Sequence, residues 1–317
     1  MSYSTPILFL IFNRPDVTQL VFERIRQQQP QQLYIAADGP RTQKTAEAEK
    51  CTQARQLVLS GIDWPCEVKT LFRDKNLGCG KAVSEAITWF FGQVEEGIIL
   101  EDDCLPNESF FYFSESLLAK YRHNNQIMHI GGSNFQKKDI KLNNSYYFSN
   151  YIHVWGWATW RRAWALYQYN VPHNFDTSFL TILKKKFTDK FERNYWLKSF
   201  GDMAEHRIDT WDIQWVYSIY KHNGVGITPA VNMISNIGFR ADATHTHTFD
   251  PNSAAIPLQS IHYIVHPPSI RVLQKADRYT YKKLFQFGNT WFNRVKFKTG
   301  KMLPLVKFIY LKISGKK

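Results

Sequence analysis

Apolar residues run unbroken through ILFLIF at 7–12, the pattern of a strand buried on both faces. The polar stretch NRPD ends it. Asp16 is placed to cap a helix reaching about Gln28, with Val17, Leu20, Val21 and Ile25 on its inner face. LYIAA (33–37) predicts a second strand, stopped by Asp38-Gly39-Pro40, and a polar helix follows over 44–59. EVKTLF (67–72) predicts a third strand. The loop RDKNLGCG then leads into a helix over 81–94, and GIIL at 97–100 predicts a fourth strand. Strand and helix alternating at these short intervals place the chain in the α/β class, with a mainly parallel sheet and helices on both faces.

Beyond the fourth strand the pattern continues and then changes. PNESFFYFSESLLAKY (106–121) has helical periodicity, with Asn107 as its cap, and IMHIGG (127–132) predicts another strand. The segment 145–167 is rich in aromatics, and its second half has helical spacing. Trp157, Trp160, Trp164 and Tyr167 would share one helical face and pack into the core. DTWDIQWVYSIYKHNG (209–224) predicts a helix ended by Asn-Gly. GVGITP and AVNMISNIGF read as extended.

Composition changes this picture in one place. The 317 residues carry a formal net charge of +13, but residues 276–317 alone hold eleven Lys/Arg and one acid. The rest of the chain is nearly balanced, so the basic signal belongs to a tail and nucleic-acid binding by the whole fold loses its support. The expected organisation is a catalytic domain over 1–275 and a basic, aromatic, amphipathic tail over 276–317. Such a tail suits an anionic membrane surface; a solvated tail, or a helix packed on the domain, is the alternative. The four cysteines form no CxxC pair, which speaks against a structural zinc site or a disulfide framework. The N-terminus has no basic n-region, and its apolar run is too short for a signal or a membrane span. A cytoplasmic protein is the expectation, peripheral on the membrane if the tail binds there.

Three predicted strands end in polar groups: Asn13-Arg14 after the first, Asp38 after the second and Glu101-Asp102-Asp103 after the fourth. Ligands of open α/β sheets bind at these carboxyl ends. Adjacent carboxylates repel one another unless they are solvated or neutralised. A hard divalent cation, Mn²⁺ or Mg²⁺, accepts carboxylate oxygens and bridges to phosphate. A solvated acidic turn, with Asp102 or Asp103 capping the next helix, is the bland alternative. NLGCGKA lacks both the P-loop and the dinucleotide glycine spacings. Even so, it sets Gly78, Gly80 and Lys81 at a helix start, which favours phosphate as readily as it makes an ordinary junction.

Taken in order, FNRPD, AADGP, NLGCGKA, GIILEDD, VWGW, TWDIQW and NIGFRADATHTH resemble a GT-A nucleotide-sugar glycosyltransferase over roughly residues 5–250. The likeness is to the N-acetylglucosaminyltransferase I type, whose metal motif is also EDD, and it implies a Rossmann-like GT-A domain. It also implies roles. Asp103 would ligate the metal, Asp102 would lie at the ribose and Glu101 near the donor sugar. Arg14 would contact the diphosphate, with Asn13 beside it, and Asp38 would read the base or ribose. Trp155 would line the sugar pocket in a segment where Val154 stands in place of the family's glycine. Trp211-Asp212 resembles the family's Trp-Asp pair, in which the acid is the general base. His245 resembles a histidine that contacts the diphosphate or the metal, with His247 close behind. Beside this stands a structural reading of the same acids: Asp209 and Asp212 both suit a helix N-terminus, Asp209 the better as cap.

The function expected on these grounds is metal-dependent, inverting transfer of a sugar. The donor would be a nucleotide-diphospho-sugar, UDP-linked and an N-acetylhexosamine if the likeness extends so far, and the acceptor a glycan or a lipid-linked glycan. A metal-dependent phosphohydrolase would want an aspartate directly after the first strand, where Asn13 stands. The presence together of EDD, Asp212 and His245 speaks against a non-catalytic nucleotide-sugar-binding module.

Overall fold

A computed structural model describes residues 3–44, 46–136, 142–239 and 256–285. Its first half is the predicted alternation: β1 (Ile7–Ile11), α1 (Pro15–Gln28), β2 (Gln32–Ala37), α2 (Glu47–Ser60), β3 (Glu67–Phe72), α3 (Cys79–Phe91) and β4 (Glu96–Glu101). Then come β5 (Cys104–Pro106), α4 (Glu108–Tyr121), β6 (Ile127–Gly131), β7 (Tyr146–Ser149), β8 (Trp157–Trp160) and the short α5 (Arg161–Trp164). The rest is α6 (Thr177–Lys186), α7 (Lys190–Ala204), α8 (Asp212–Lys221), β9 (Val225–Pro229), β10 (Ile234–Asn236), α9 (Gln274–Thr280) and a π-helical turn at Tyr281–Phe285.

Eight strands form one sheet in the order β3-β2-β1-β4-β8-β6-β9-β7. β1, β2, β3 and β4 pair in parallel, and so do β6 and β9. β8 runs antiparallel between β4 and β6, and β7 antiparallel to β9. β5 and β10 form a separate antiparallel pair. A large, mostly parallel sheet flanked by helices is thus the observed class, as the alternation of strand and helix predicts. Strand alternation divides the core between two faces. Ile7, Phe9 and Ile11 of β1 lie in the core shared with α1, α2 and α4, whereas Leu8 lies in the core shared with α3 and α6–α8.

The sheet order sets where a ligand can go. β1 has β2 on one side and β4 on the other, so the chain's path reverses there and the loops after β1 and β4 splay apart. That crevice receives Asn13, Arg14 and the three acids.

Several local expectations change. Asp16 sits in the first turn of α1 rather than at its cap, because Pro15 begins the helix with a fixed φ and no N–H to satisfy. The buried stripe of α1 is Val17, Thr18, Val21, Phe22 and Ile25, and Leu20 is exposed. Asn107 does cap α4, accepting the Phe110 N–H at 3.1 Å. The aromatic stretch is not a helix through 157–167. Trp157 and Trp160 lie on β8, where an odd spacing sends them to opposite faces of the sheet. Both are buried core residues all the same. β-pairing between β4 and β6 overrides the helical spacing there.

Residues 276–285, the start of the basic segment, pack onto the body: Ala276, Asp277, Thr280 and Tyr281 are buried. Residues 286–317 lie outside the described residues. Among the described residues no helix is long and apolar enough to cross a membrane.

Candidate active site

β1 is followed by only three residues before Pro15 starts α1, so Asn13 and Arg14 are held at the sheet edge. In register, Leu10 of β1 faces Glu101 of β4, which carries Asp102 and Asp103 to the same edge. There Arg14 is ion-paired to Asp102 and, at 3.0 Å, to Asp103. Burial alone would depress the Arg14 guanidinium, but the two carboxylates raise it further, so it stays charged. Burial drives the carboxyls of Glu101 and Asp102 upward. Repulsion from the neighbouring acids adds to this, while Arg14 pulls the other way. The Oδ2 of Asp102 is buried without a well-formed hydrogen bond.

These groups open onto a cavity of about 520 Å³. All the residues predicted for the site that lie among the described residues line it, except Lys81. Lys81 stands exposed on α3, 3.8 Å from Glu85. His245 and His247 lie outside the described residues. Among the described residues the lining carries six acids against three arginines, Arg14, Arg41 and Arg73, a balance that disfavours an anionic ligand unless a cation accompanies it. Among the described residues no group of three or more His, Cys, Asp or Glu is arranged to hold a metal. A hard cation can be held by one or two carboxylates together with substrate phosphates and water. The excess of acids and the Asp102 oxygen therefore fit such an ion.

At the β2 end, Asp38 is turned toward backbone. It accepts the N–H groups of Gly39 (2.9 Å), Leu77 (3.0 Å) and Gly78 (3.2 Å), and burial raises its carboxyl. Beside it lies a group that the sequence reading missed. Buried Glu47, in the first turn of α2, accepts from Asn13 Nδ2 at 2.8 Å and holds Arg41 through its backbone N–H at 2.7 Å and its guanidinium. Arg41 also lies over the Phe12 ring at 5.4 Å. The strand-end rule, extended three residues past Asp38, would have reached Arg41.

The opposite wall is built on stacked rings. Trp211 stacks on Trp157 (5.5 Å, 19°), and Trp157 stacks on His129 (5.1 Å, 20°). The pKa of His129 is pushed down to about 3 by burial, so its ring is neutral. It then donates from Nε2 to the His153 carbonyl (3.0 Å) and accepts from Trp215 Nε1 (3.3 Å). This stack fixes the start of α8, where Asp212 faces the cavity. Asp212 Oδ1 accepts from the Thr210 hydroxyl and from the Ile213 N–H (2.8 Å). Among the described residues Oδ2 takes no hydrogen bond. Trp155 closes the wall with its ring edge-on to Phe135 at 5.3 Å.

Asp209, expected to cap α8, instead crosses to α3 and accepts the N–H groups of Cys79 and Gly80, each at 2.8 Å. The helix start, which suited phosphate and an ordinary junction alike, is thus occupied by a carboxylate of the chain itself.

No protein-family model matches the chain, and no curated protein does. Distant likenesses exist among solved structures. TarS residues 1–349 of S. aureus is 12% identical with a TM-score of 0.34, covering 70% of this chain and 72% of that one. An apo UDP-glucose pyrophosphorylase is 10% identical with a TM-score of 0.36, covering 70% and 90%. HddC from Yersinia pseudotuberculosis is 10% identical with a TM-score of 0.31, covering 50% and 77%. Likenesses this distant say nothing of activity, which has to come from the site itself.

Proposed function

We propose that the chain is a metal-dependent, inverting glycosyltransferase that uses a nucleotide-diphospho-sugar, UDP-linked, and a glycan or lipid-linked acceptor. One observation carries the reading. A single cavity at the switch point of a parallel sheet brings together an arginine paired to two acids, a buried excess of carboxylate, and a separate carboxylate, Asp212, on the facing wall. Asn13, where a phosphohydrolase would want its nucleophile, is held by Glu47 and does not suit that chemistry.

Asp103, exposed to the cavity beside Arg14, is the residue best placed to hold Mn²⁺ or Mg²⁺, with His245 as a further ligand suggested by the family resemblance. Such an ion would neutralise the donor's diphosphate. Arg14 adds positive charge at the same point and favours the leaving group's negative charge. Asp212 accepts the proton of the acceptor hydroxyl as its oxygen bonds to the anomeric carbon. The anomeric carbon's bond to the diphosphate breaks, and its electrons leave with the nucleotide. Attack opposite the departing group inverts the anomeric centre. The basic segment beyond Phe285 would hold the enzyme against anionic lipid, close to a lipid-linked acceptor.

The test is incubation with a panel of nucleotide sugars and Mn²⁺, reading released nucleotide with and without candidate acceptors. Release that depends on divalent cation supports the reading, and none from any nucleotide sugar overturns it. For the tail, liposome sedimentation with and without residues 286–317 decides; equal, salt-insensitive binding would remove the membrane role.

A further inference from the structure

Leu77–Gly80 joins the two walls of the cavity. Its four successive amides are shared between two carboxylates that approach from different elements. Leu77 and Gly78 donate to Asp38, at the end of β2. Cys79 and Gly80 donate to Asp209, in the loop that leads into α8. Gly78 is the N-cap residue of α3 and offers no side chain, so Asp209 caps that helix across the cavity wall.

The glycines leave the room this needs. Gly78 has φ +83°, and a Cβ there would lie 2.5 Å from the Asp209 carboxylate. A Cβ on Gly80 would lie 2.8 Å from that carboxylate and 2.7 Å from the Thr210 carbonyl oxygen. The contact then passes directly to Asp212. Thr210, next to Asp209, donates its hydroxyl to Asp212 Oδ1, and its carbonyl accepts from the Gln214 amide at 2.6 Å.

We propose that Asp209 is a positioning residue: clamped on the first amides of α3, it fixes where Asp212 stands relative to a donor bound at the β1–β4 crevice. The proposal rests on the reading of Asp212 as the base. Asp209 is not itself placed to take the acceptor's proton, since each of its oxygens already accepts a backbone N–H. A clamp of this kind matters because a base displaced by a fraction of an ångström loses its line to the attacking hydroxyl, while donor binding on the opposite wall is untouched.

The experiment compares Asp209→Ala, Asp209→Asn and Gly80→Ala in the full chain. Asp209→Ala should lower kcat for transfer by about 10- to 100-fold, as loss of a supporting contact does. Donor KM should stay within about threefold of wild type, because Arg14, Asp102 and Asp103 pair with one another at the crevice and not with the clamp. Asp209→Asn keeps one acceptor oxygen for the amides and should recover part of the loss. Gly80→Ala keeps Asp209 but drives a methyl group into it, so it should repeat the kcat defect. Hydrogen exchange of the 205–213 peptide should quicken in Asp209→Ala, a readout independent of turnover. If wild type transfers from no nucleotide sugar, the functional reading fails, while faster exchange still upholds the clamp. Unchanged exchange together with wild-type kcat in Asp209→Ala would overturn the proposal. So would an Asp209→Asn defect as deep as that of Asp212→Asn, which would make Asp209 the base. Should Asp209→Ala not fold, Gly80→Ala and Asp209→Asn decide the matter.

Discussion

Near the β7–β9 edge of the sheet, Lys186, Glu192 and Asp277 are buried, and each is answered from within the chain. Lys186 donates to Asn150 Oδ1 (3.1 Å) and to the Gly224 carbonyl (2.6 Å). Asp277 accepts from the Ser149 hydroxyl and the Asn150 N–H (3.1 Å), and Glu192 from the Tyr151 hydroxyl. At the β1–β4 crevice, charges are again held largely out of water, but among the described residues they are not closed off. Among the described residues Arg14 pairs with both Asp102 and Asp103, Asp102 Oδ2 has no hydrogen-bond partner, and the group opens onto a cavity. Burying a charge is costly in both places. Where the chain supplies the partners, the cluster holds elements together: here it ties α9 to the end of β7 and α6 to the start of β9. Where the described residues leave the cluster open, it has room for a partner such as a cation. Burial and a shifted pKa alone do not separate the two, since both clusters have them; completeness does.

The sharpest way to break this contrast is at Asp212, on the wall facing the open cluster. Asp212→Asn keeps the shape and still accepts from Thr210, but it cannot take a proton. Transfer should fall by about 10²–10⁴-fold with donor affinity little changed. Single-turnover rate and melting temperature measured on one sample decide it. A lowered melting point with intact transfer would make Asp212 a helix-start acid and nothing more.

Next in size is the cation. If the open cluster lacks a metal partner, Asp103→Ala should weaken Mn²⁺-dependent UDP binding by about 100-fold, the upper end seen even for residues that only support a ligand. The fold should survive, because Arg14 keeps its pair with Asp102 and removing the Asp103 carboxylate leaves space rather than a clash. Calorimetry showing equal UDP affinity in the variant and the wild type would remove the metal assignment.

Much of this was legible beforehand, for physical reasons. Continuous apolar runs such as 7–12 and 97–100 have no other home than a doubly covered parallel strand, so sheet class and strand-end polar groups followed together. Trp157 and Trp160 were misplaced because a spacing of three fits a helix and is equally permitted on a strand with both faces buried. Nothing local in 157–160 reports its pairing with β4 and β6. Glu47, Arg41 and Asp209 were missed for a related reason. Their roles exist only through contacts such as Asn13 to Glu47 or Asp209 to Gly80, made between elements far apart in the chain. The sequence marks the ends of strands; it does not mark which distant carboxylate will cross to a helix start.

The closed cluster predicts the opposite behaviour. Lys186→Met would strand the Gly224 carbonyl and Asn150 Oδ1, at about 1–3 kcal/mol for each buried acceptor left alone. UDP binding in the folded fraction should be that of wild type. Chemical denaturation and calorimetry on the same variant check both halves. A variant that kept its stability but lost UDP affinity would mean that the two regions are coupled and the contrast is false.

The smallest effect is a pH slope, and its sign follows from burial. The Asp277 carboxyl is pushed up to about 6 by desolvation, with the Ser149 and Asn150 hydrogen bonds opposing. Between its unfolded value of 3.8 and about 6, the folded chain therefore binds more protons there than the unfolded chain does. Asp277 then contributes stability at low pH that is lost as pH rises through that window. Lys186 has the opposite sign. Burial pushes its ammonium down to about 8, so its contribution grows as pH rises from about 8 toward its unfolded value of 10.5. Asp277→Asn should flatten the fall between pH 4 and 6 relative to wild type and leave the rise above pH 8 in place. Melting temperatures of the two proteins across that range are the measurement. A wild-type slope that survives Asp277→Asn unchanged would show that the proton is taken up elsewhere, and that the Ser149–Asn150 pair already holds Asp277 ionised.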